Sequence, residues 1–296
     1  MRNPYFSVII PFYNKERSLE ACIKALLSQD FPRDNYELIA VNNNSTDSSL
    51  EIIKRYPSIR LIYEEQQNPY AARNRGACHA NGSVMVFTDA DTEARADWLS
   101  NIYHSMEKNG YDILIGWYIP ARPIRLLQIH GKLVSERIKK AIKRNAPSML
   151  TACAANLVIK KEIFQKEGLF QNMSNSEDMY FAIRCLEKGY NVGFDENIEI
   201  KRNDVDSVSI FLLKNFIYGC SNARDIKHKL SFLEKLRYVF ITIKFVFKYF
   251  PIGIGLLLFT LSYFAGYILS KLRVLNPQRI SNLVHKYTIF VSEKAV

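Results

Sequence analysis

The sequence predicts an α/β fold with a mainly parallel, doubly wound sheet flanked by helices. Two observations predict it. Apolar runs of strand length alternate with helix-patterned segments over the first 90 residues, joined by short connections. One run, Val84 to Phe87, leads straight into Thr88-Asp89-Ala90-Asp91, and open α/β sheets bind ligands beyond the carboxyl ends of their strands. A third feature lies further on: Tyr249 to Leu269 contains no charged residue and is long enough to match a bilayer core. It predicts a C-terminal helical, membrane-associated segment.

The elements follow in order. Ser7-Val8-Ile9-Ile10-Pro11 reads as a buried strand, and Asn14 is placed to cap the helix carrying Leu19, Cys22, Ile23, Leu26 and Leu27. Pro32 ends that helix. Tyr36 to Val41 is the second strand and runs into the turn-forming residues Asn42 to Asp47. Ser48 and Glu51 have capping-box spacing for the next helix. Ile59 to Tyr63 is the third strand, Pro69 to Asn81 a helix of small residues, and Val84 to Phe87 the fourth strand. These β-α units predict parallel pairing with right-handed crossovers. Trp98, Leu99, Ile102 and Met106 mark a helix closed by Gly110. Tyr111 to Tyr118 is a strand, and residues 122–146 are basic, with Leu127, Val134, Ile138 and Ile142 able to form one apolar face. Ala154 to Ile159 and Tyr190 to Ile200 are further strands. Between them, Ser176 caps a helix with Met179, Ile183 and Leu186 inside and Gly189 at its end.

The net charge of +11 is unevenly spread. Residues 1–200 hold 25 Lys+Arg and 24 Asp+Glu, whereas residues 201–296 hold 15 and 5. A near-neutral body argues against nucleic-acid binding, and a basic tail suits an anionic membrane surface. The five cysteines are scattered, with no zinc spacing, and read as reduced thiols in the cytosol. The short apolar run Phe6 to Phe12 reads as a strand rather than a signal peptide. The five histidines show no ligand spacing, and neither a Gly-x-Gly-x-x-Gly nor a phosphate-binding loop is present, which weakens dehydrogenase and NTPase readings.

Asp89 and Asp91, separated by one small residue, can both reach one hard cation and its phosphate partner. Taken alone, the pair equally fits a solvated loop. Glu177-Asp178 falls in the first turn of a helix, where the dipole alone favours acidic residues; the functional reading makes Asp178 a single general base.

Five motifs occur in one order: Phe6 to Asn14, Val41 to Asp47, Ala72-Arg73-Asn74-Arg75-Gly76, Phe87 to Asp91, and Ser176-Glu177-Asp178. Together they resemble the family-2 inverting glycosyltransferases of GT-A fold, over roughly residues 5 to 225. The resemblance implies a catalytic domain over residues 1–229, with a nucleotide-binding half to about 92 and an acceptor half after it; residues 230–296 then form the membrane-associating region and basic tail. It implies that Pro11, Tyr13 and Glu16 wall the nucleotide base. Asn42 stands where the family usually has Asp to receive the uracil N3–H, so uridine is favoured while the base stays open. Arg73 would face the base or diphosphate, Asp89 the ribose and metal, and Asp91 would ligate Mn²⁺ or Mg²⁺. Thr151 to Asn156 resembles the small-residue segment lining the donor sugar, which places Asn156 there. Asp178 would be the general base, with Glu177 an orienting neighbour on the acceptor side. A Gln-x-x-Arg-Trp motif, carried by many processive members, is absent, which favours transfer of one sugar.

The implied activity is inverting transfer from a nucleoside-diphosphate sugar to a hydroxyl acceptor, lipid-linked or on a cell-surface glycan. The implied location is the cytoplasmic face of the cell membrane, with attachment through residues 230–270 and oligomerisation left open. The alternatives are a sugar nucleotidyltransferase, disfavoured because Pro11 to Arg17 contains no Gly, and a non-catalytic membrane-anchored nucleotide-sugar-binding subunit, disfavoured by the intact Asp89, Asp91 and Asp178.

Overall fold

The computed structural model describes residues 4–120, 124–147, 150, 154–171, 177–203, 261, 262 and 265. The chain divides into a sheet unit, residues 1–121, 131–172 and 177–204, and a second unit comprising 122–130, 173–176 and 205–296. The expected segment 230–296 lies almost wholly outside the described residues. Among the described residues, no helix is long and apolar enough to cross a membrane.

The sheet unit carries eight strands: β1 (Phe6–Phe12), β2 (Tyr36–Asn42), β3 (Arg60–Tyr63), β4 (Val84–Thr88), β5 (Thr92–Ala94), β6 (Ile113–Pro120), β7 (Asn156–Lys160) and β8 (Val192–Arg202). Their spatial order is β3-β2-β1-β4-β7-β6-β8-β5. The first four are parallel, as the short β-α units predict. The sheet is nevertheless mixed: β7 runs antiparallel to both β4 and β6, and β5 runs antiparallel to β8. Strand direction depends on the connection that precedes a strand, and an apolar run such as Leu157-Val158-Ile159 reads the same either way.

Among the described residues, the helices that accompany the sheet are α1 (Leu19–Leu27), α2 (Ser49–Lys54), α3 (Pro69–Cys78), α4 (Trp98–Asn109), α5 (Arg125–Lys143), α6 (Lys161–Glu167) and α7 (Glu177–Glu187). They cover both faces. Val8 and Ile10 of β1 and Val86 of β4 share a core with Leu19, Ile23 and Leu26 of α1 and with Trp98, Leu99 and Ile102 of α4. The alternate residues Ile9, Met85 and Phe87 pack with Ala72 and Ala77 of α3, Phe164 of α6 and Phe181 of α7. This two-sided burial is why the strands read as continuous apolar runs.

Several caps differ from expectation. Asn14 is not a helix cap; α1 begins at Leu19, and Asn14 adopts a left-handed φ of 50°. The Ser48–Glu51 capping box does not form: the Ser48 side chain makes no cap bond, and the Ser48 N–H that Glu51 would accept goes to Glu16 Oε2 at 3.1 Å. Helix α3 stops at Cys78, three residues short of the expected end. Gly110 behaves as expected: at φ 62° it closes α4 by donating its N–H to the Met106 carbonyl at 2.8 Å. In α7 the fully buried residues are Glu177, Phe181, Ala182, Cys185 and Leu186; Ile183 is partly buried and packs against the same core, as expected, and Met179 is partly buried. Strand β5 and helix α6 carry no apolar signal long enough to be read from sequence; each has at most seven residues.

Candidate active site

The end of β4 is fixed by a tight turn. The Thr92 N–H and hydroxyl both donate to the Asp89 carbonyl, at 3.2 and 2.8 Å. The Thr92 hydroxyl also meets that of Thr88 at 2.8 Å, and Ala90 is buried beneath the turn. The two aspartates therefore leave the sheet in defined directions.

Helix α3 lies close over β1 and β2. A Cβ on Gly76 would stand 2.5 Å from Ile9 Cγ2 and 3.1 Å from Val41 Cγ2, so the small residues there permit the approach. Asn68 caps the helix by accepting the Tyr70 N–H at 3.0 Å. The approach carries Arg73 beneath the end of β4. Its Nη2 donates to Asp89 Oδ1 at 2.7 Å and its Nη1 to Glu177 Oε1 at 2.5 Å. Arg73 is only 8 % exposed. The resemblance has it facing the base or diphosphate; here both terminal nitrogens are engaged by carboxylates, and Nε has no hydrogen-bond partner among the described residues.

Helix α7 is docked on β4 by aromatic packing. Phe87, Phe164, Phe170 and Phe181 form a cluster with centroid separations of 5.0 to 5.8 Å. Docking puts the first turn of α7 beside Arg73. Glu177 takes the guanidinium, while Asp178 accepts the Met179 N–H at 2.7 Å and the Ala154 N–H. Three carboxylates thus surround one guanidinium, and Asp178 is the one without an ion-pair partner among the described residues.

The charge balance follows from that count. Burial opposes the Arg73 charge, but Asp89, Glu177 and Asp178 outweigh it and hold the guanidinium protonated. Burial pushes Glu177 up to about 7, with Arg73 opposing and Asp178 adding to the rise. Asp178 is raised by burial against the pull of Arg73 and the two backbone N–H groups. Asp89 is also buried, yet Arg73, Arg202 and Lys15 together hold it below its ordinary value. One guanidinium cannot neutralise three carboxylates, so Glu177 and Asp178 are raised while Asp89, with Arg202 and Lys15 also acting on it, is lowered.

Asp91 is largely buried. Its Oδ2 is ion-paired with Lys15, and its Oδ1 is buried with no hydrogen-bond partner among the described residues. An orphaned carboxylate oxygen beside a second carboxylate fits a hard divalent cation. Among the described residues no group of three His, Cys, Asp or Glu side chains is placed to hold a metal ion, so the protein would supply two carboxylates and leave the other positions to phosphate and water, as Mg²⁺-type sites do. Lys15 was not legible as a site residue; its only sequence signal is its place beside the Asn14 turn.

The residues expected on the nucleotide side are cross-linked. Asn14 Oδ1 accepts the Thr46 N–H at 2.8 Å, and the Asn14 N–H donates to Ser45 Oγ at 3.2 Å. Glu16 accepts the Ser48 N–H at 3.1 Å and donates its own N–H to Asp47 at 3.0 Å. Asn42 is buried, and its Oδ1 accepts the Ser45 N–H at 2.9 Å. Pro11 and Tyr13 remain partly exposed at the end of β1. The structure gathers Pro11, Tyr13, Glu16 and Asn42 along the two loops after β1 and β2.

Asn156 departs from the expected donor-sugar position. It is 1 % exposed, and its amide is committed within the sheet unit. Oδ1 accepts the Trp98 indole N–H at 3.1 Å, while Nδ2 donates to the carbonyls of Trp117 and Ile198 at 2.7 and 2.8 Å. Gly116 makes room for it, since a Cβ there would stand 2.4 Å from the amide. With both N–H donors used and no solvent access, Asn156 is a structural residue.

Comparisons with known proteins agree with this architecture. The chain is 27% identical over 205 residues to "Glycosyltransferase AglE" of Haloferax volcanii, an alignment covering 66% of each protein. The chain spans two thirds or less of the length of the first curated relatives it matches, and as little as 16% of one. Among solved structures, the mannosyltransferase PcManGT of Pyrobaculum calidifontis, in complex with GDP-Man and Mn²⁺, superposes with a TM-score of 0.63 at 18% identity, covering 99% of this chain and 87% of that one. Staphylococcus aureus TarS residues 1–349 in complex with UDP-GlcNAc superposes with a TM-score of 0.53 at 16% identity, covering 90% of each chain. At such identities the two structures show a shared GT-A-like fold. The model of "Glycosyl transferase family 2" matches residues 7–168, a span from β1 through α6 that includes Arg73 and both aspartates of the β4 turn, and on that match the chain belongs to glycosyl transferase family 2.

Proposed function

We propose that the chain transfers a sugar from a nucleoside-diphosphate sugar to a hydroxyl acceptor with inversion at the anomeric carbon. The observation that carries this reading is the Arg73 network. It joins Asp89, after β4, to the first turn of α7 and leaves Asp178 as the carboxylate of the three with no ion pair among the described residues. A single-displacement transfer needs one base to take the acceptor hydroxyl proton as that oxygen attacks. Asp178, raised by burial and held by two backbone N–H groups, keeps lone pairs for that proton. Glu177 is tied to Arg73 and orients the turn rather than reacting. Asp89 and Asp91 are the residues that would hold Mn²⁺ or Mg²⁺; such an ion acts as a Lewis acid on the departing diphosphate. Pro11, Tyr13, Glu16 and Asn42 line the nucleotide side. Similarity to proteins solved with GDP-Man and with UDP-GlcNAc supports a nucleoside-diphosphate sugar while leaving the base open. The basic, apolar tail supports a lipid-linked or membrane-presented acceptor at the cytoplasmic face.

The test is a panel of nucleotide sugars assayed for nucleotide release with and without Mn²⁺, followed by anomeric analysis of the product. Asp178→Asn is expected to bind donor as the wild type does and to lose roughly 10²–10⁴-fold in transfer. Equal loss of donor binding, or a product of retained configuration, overturns the assignment.

A further inference from the structure

The Lys15–Asp91 ion pair has no role in the reading above, and the surroundings show that it is built rather than incidental. Lys15 follows Asn14, whose left-handed backbone is pinned to the loop after β2 through Thr46 and Ser45. The Lys15 N–H donates to Ser49 Oγ at 2.7 Å, and Ser49 is fully buried at the start of α2. Backbone anchoring on both sides aims the side chain across the end of the sheet at Asp91. The carboxylate it meets is 10 % exposed and the lysine 34 %. A buried carboxylate without a counter-charge is costly, so the metal-free protein needs a cation there. An ammonium on a flexible four-carbon stem supplies one that can also leave.

We propose that Lys15 is the resident counter-cation of Asp91, that a divalent ion displaces it, and that the displaced ammonium passes to the diphosphate of the donor. The inference rests on the metal-dependent reading of the site. Asp91 engages Lys15 through Oδ2 alone, with Oδ1 unpartnered. A doubly charged ion using the same carboxylate gains more from it than an ammonium does and repels the ammonium at short range. In the protein alone, ion binding costs Lys15 its pairing with Asp91. With nucleoside diphosphate present, the displaced lysine finds a new anion. Lys15 therefore weakens metal binding to the protein alone and strengthens the mutual dependence of metal and nucleotide, a coupling that is reciprocal.

The experiment measures Mn²⁺ binding to the full chain by electron paramagnetic resonance, alone and with UDP or GDP, for wild type, Lys15→Met and Lys15→Arg, with thermal melting as the fold control. In the wild type, nucleotide is expected to tighten Mn²⁺ binding by about 5–150-fold, the usual span of such coupling. Lys15→Met keeps the stem and loses the charge. It is expected to bind Mn²⁺ alone more tightly than the wild type and to show a smaller gain from nucleotide. Lys15→Arg restores the charge, and its Mn²⁺ affinity in the absence of nucleotide should fall back below that of Lys15→Met. Wild-type metal affinity and wild-type coupling in Lys15→Met overturn the role of Lys15 and leave the metal site standing. Absence of Mn²⁺ binding to the wild type, with or without nucleotide, overturns the metal reading and the inference with it.

Discussion

Replacing Asn156 by Ala strands three groups at once: the Trp98 indole N–H and the carbonyls of Trp117 and Ile198. Each buried group left unpaired costs about 1–3 kcal/mol, and shared relaxation keeps the total below a simple sum. Asn156→Ala is expected to lose about 2–5 kcal/mol in denaturant unfolding while the folded fraction binds donor normally. Normal stability with weakened donor binding would instead return Asn156 to the donor site. A second residue-scale outcome concerns Glu177. Its folded value of about 7 stands above the ordinary 4.5, so between those values the native state holds more protons than the unfolded chain. Stability contributed by this group is present below pH 4.5 and is lost as pH rises to about 7. Asp89, lowered rather than raised, acts below its ordinary 3.8 and leaves this window alone. Melting temperature should therefore fall between pH 4.5 and 7 in the wild type, and Glu177→Gln should flatten that slope; an unchanged slope rejects the assignment.

Helix α3 sits where it does because its contact face is small. Gly76→Ala brings roughly 1 kcal/mol of helix propensity, but its Cβ would press on Ile9, a residue buried in β1. Overpacking of this kind costs about 1–3 kcal/mol. A net loss is expected in thermal unfolding, together with weaker metal and donor binding as Arg73 is lifted from Asp89. A gain in stability would show that the helix has room to spare. The same helix shows what a sequence can disclose. Ala71, Ala72, Gly76 and Ala77 advertise close packing, and the position of Arg73 before the Asp89 strand marks it for the site. Its actual partners, Glu177 and Asp89, are 104 and 16 residues away along the chain, and no local pattern encodes a contact at the first distance. The β4 turn was legible because an apolar run and two carboxylates lie side by side. Lys15 was not, because a lone lysine after a turn looks like any solvated cation.

At the scale of the whole molecule, charge and apolar content separate. The excess of ten positive charges in residues 201–296, with the uncharged run Tyr249 to Leu269 inside it, predicts attachment to anionic lipid. Each Lys or Arg near such a surface contributes about 1 kcal/mol and is screened by salt. The full chain should co-sediment with vesicles containing anionic lipid more strongly than with neutral ones, and salt should reduce the difference. A chain that is monodisperse without detergent and ignores both vesicles rejects membrane attachment.

The antiparallel insertion of β7 between β4 and β6 has a bearing on how the protein is made. Strand β4 is complete at Thr88, and every one of its five residues is buried in the finished sheet. One side pairs with β1 at once, but the other waits for Asn156–Lys160. At about 5–20 residues per second, a ribosome needs several seconds to deliver that partner. Throughout that interval the nascent chain displays an apolar, unpaired edge, the feature through which chains adhere to one another. The sheet is thus hardest to protect midway through translation, and its first four strands, though first to emerge, stay incomplete until β7 has been synthesised.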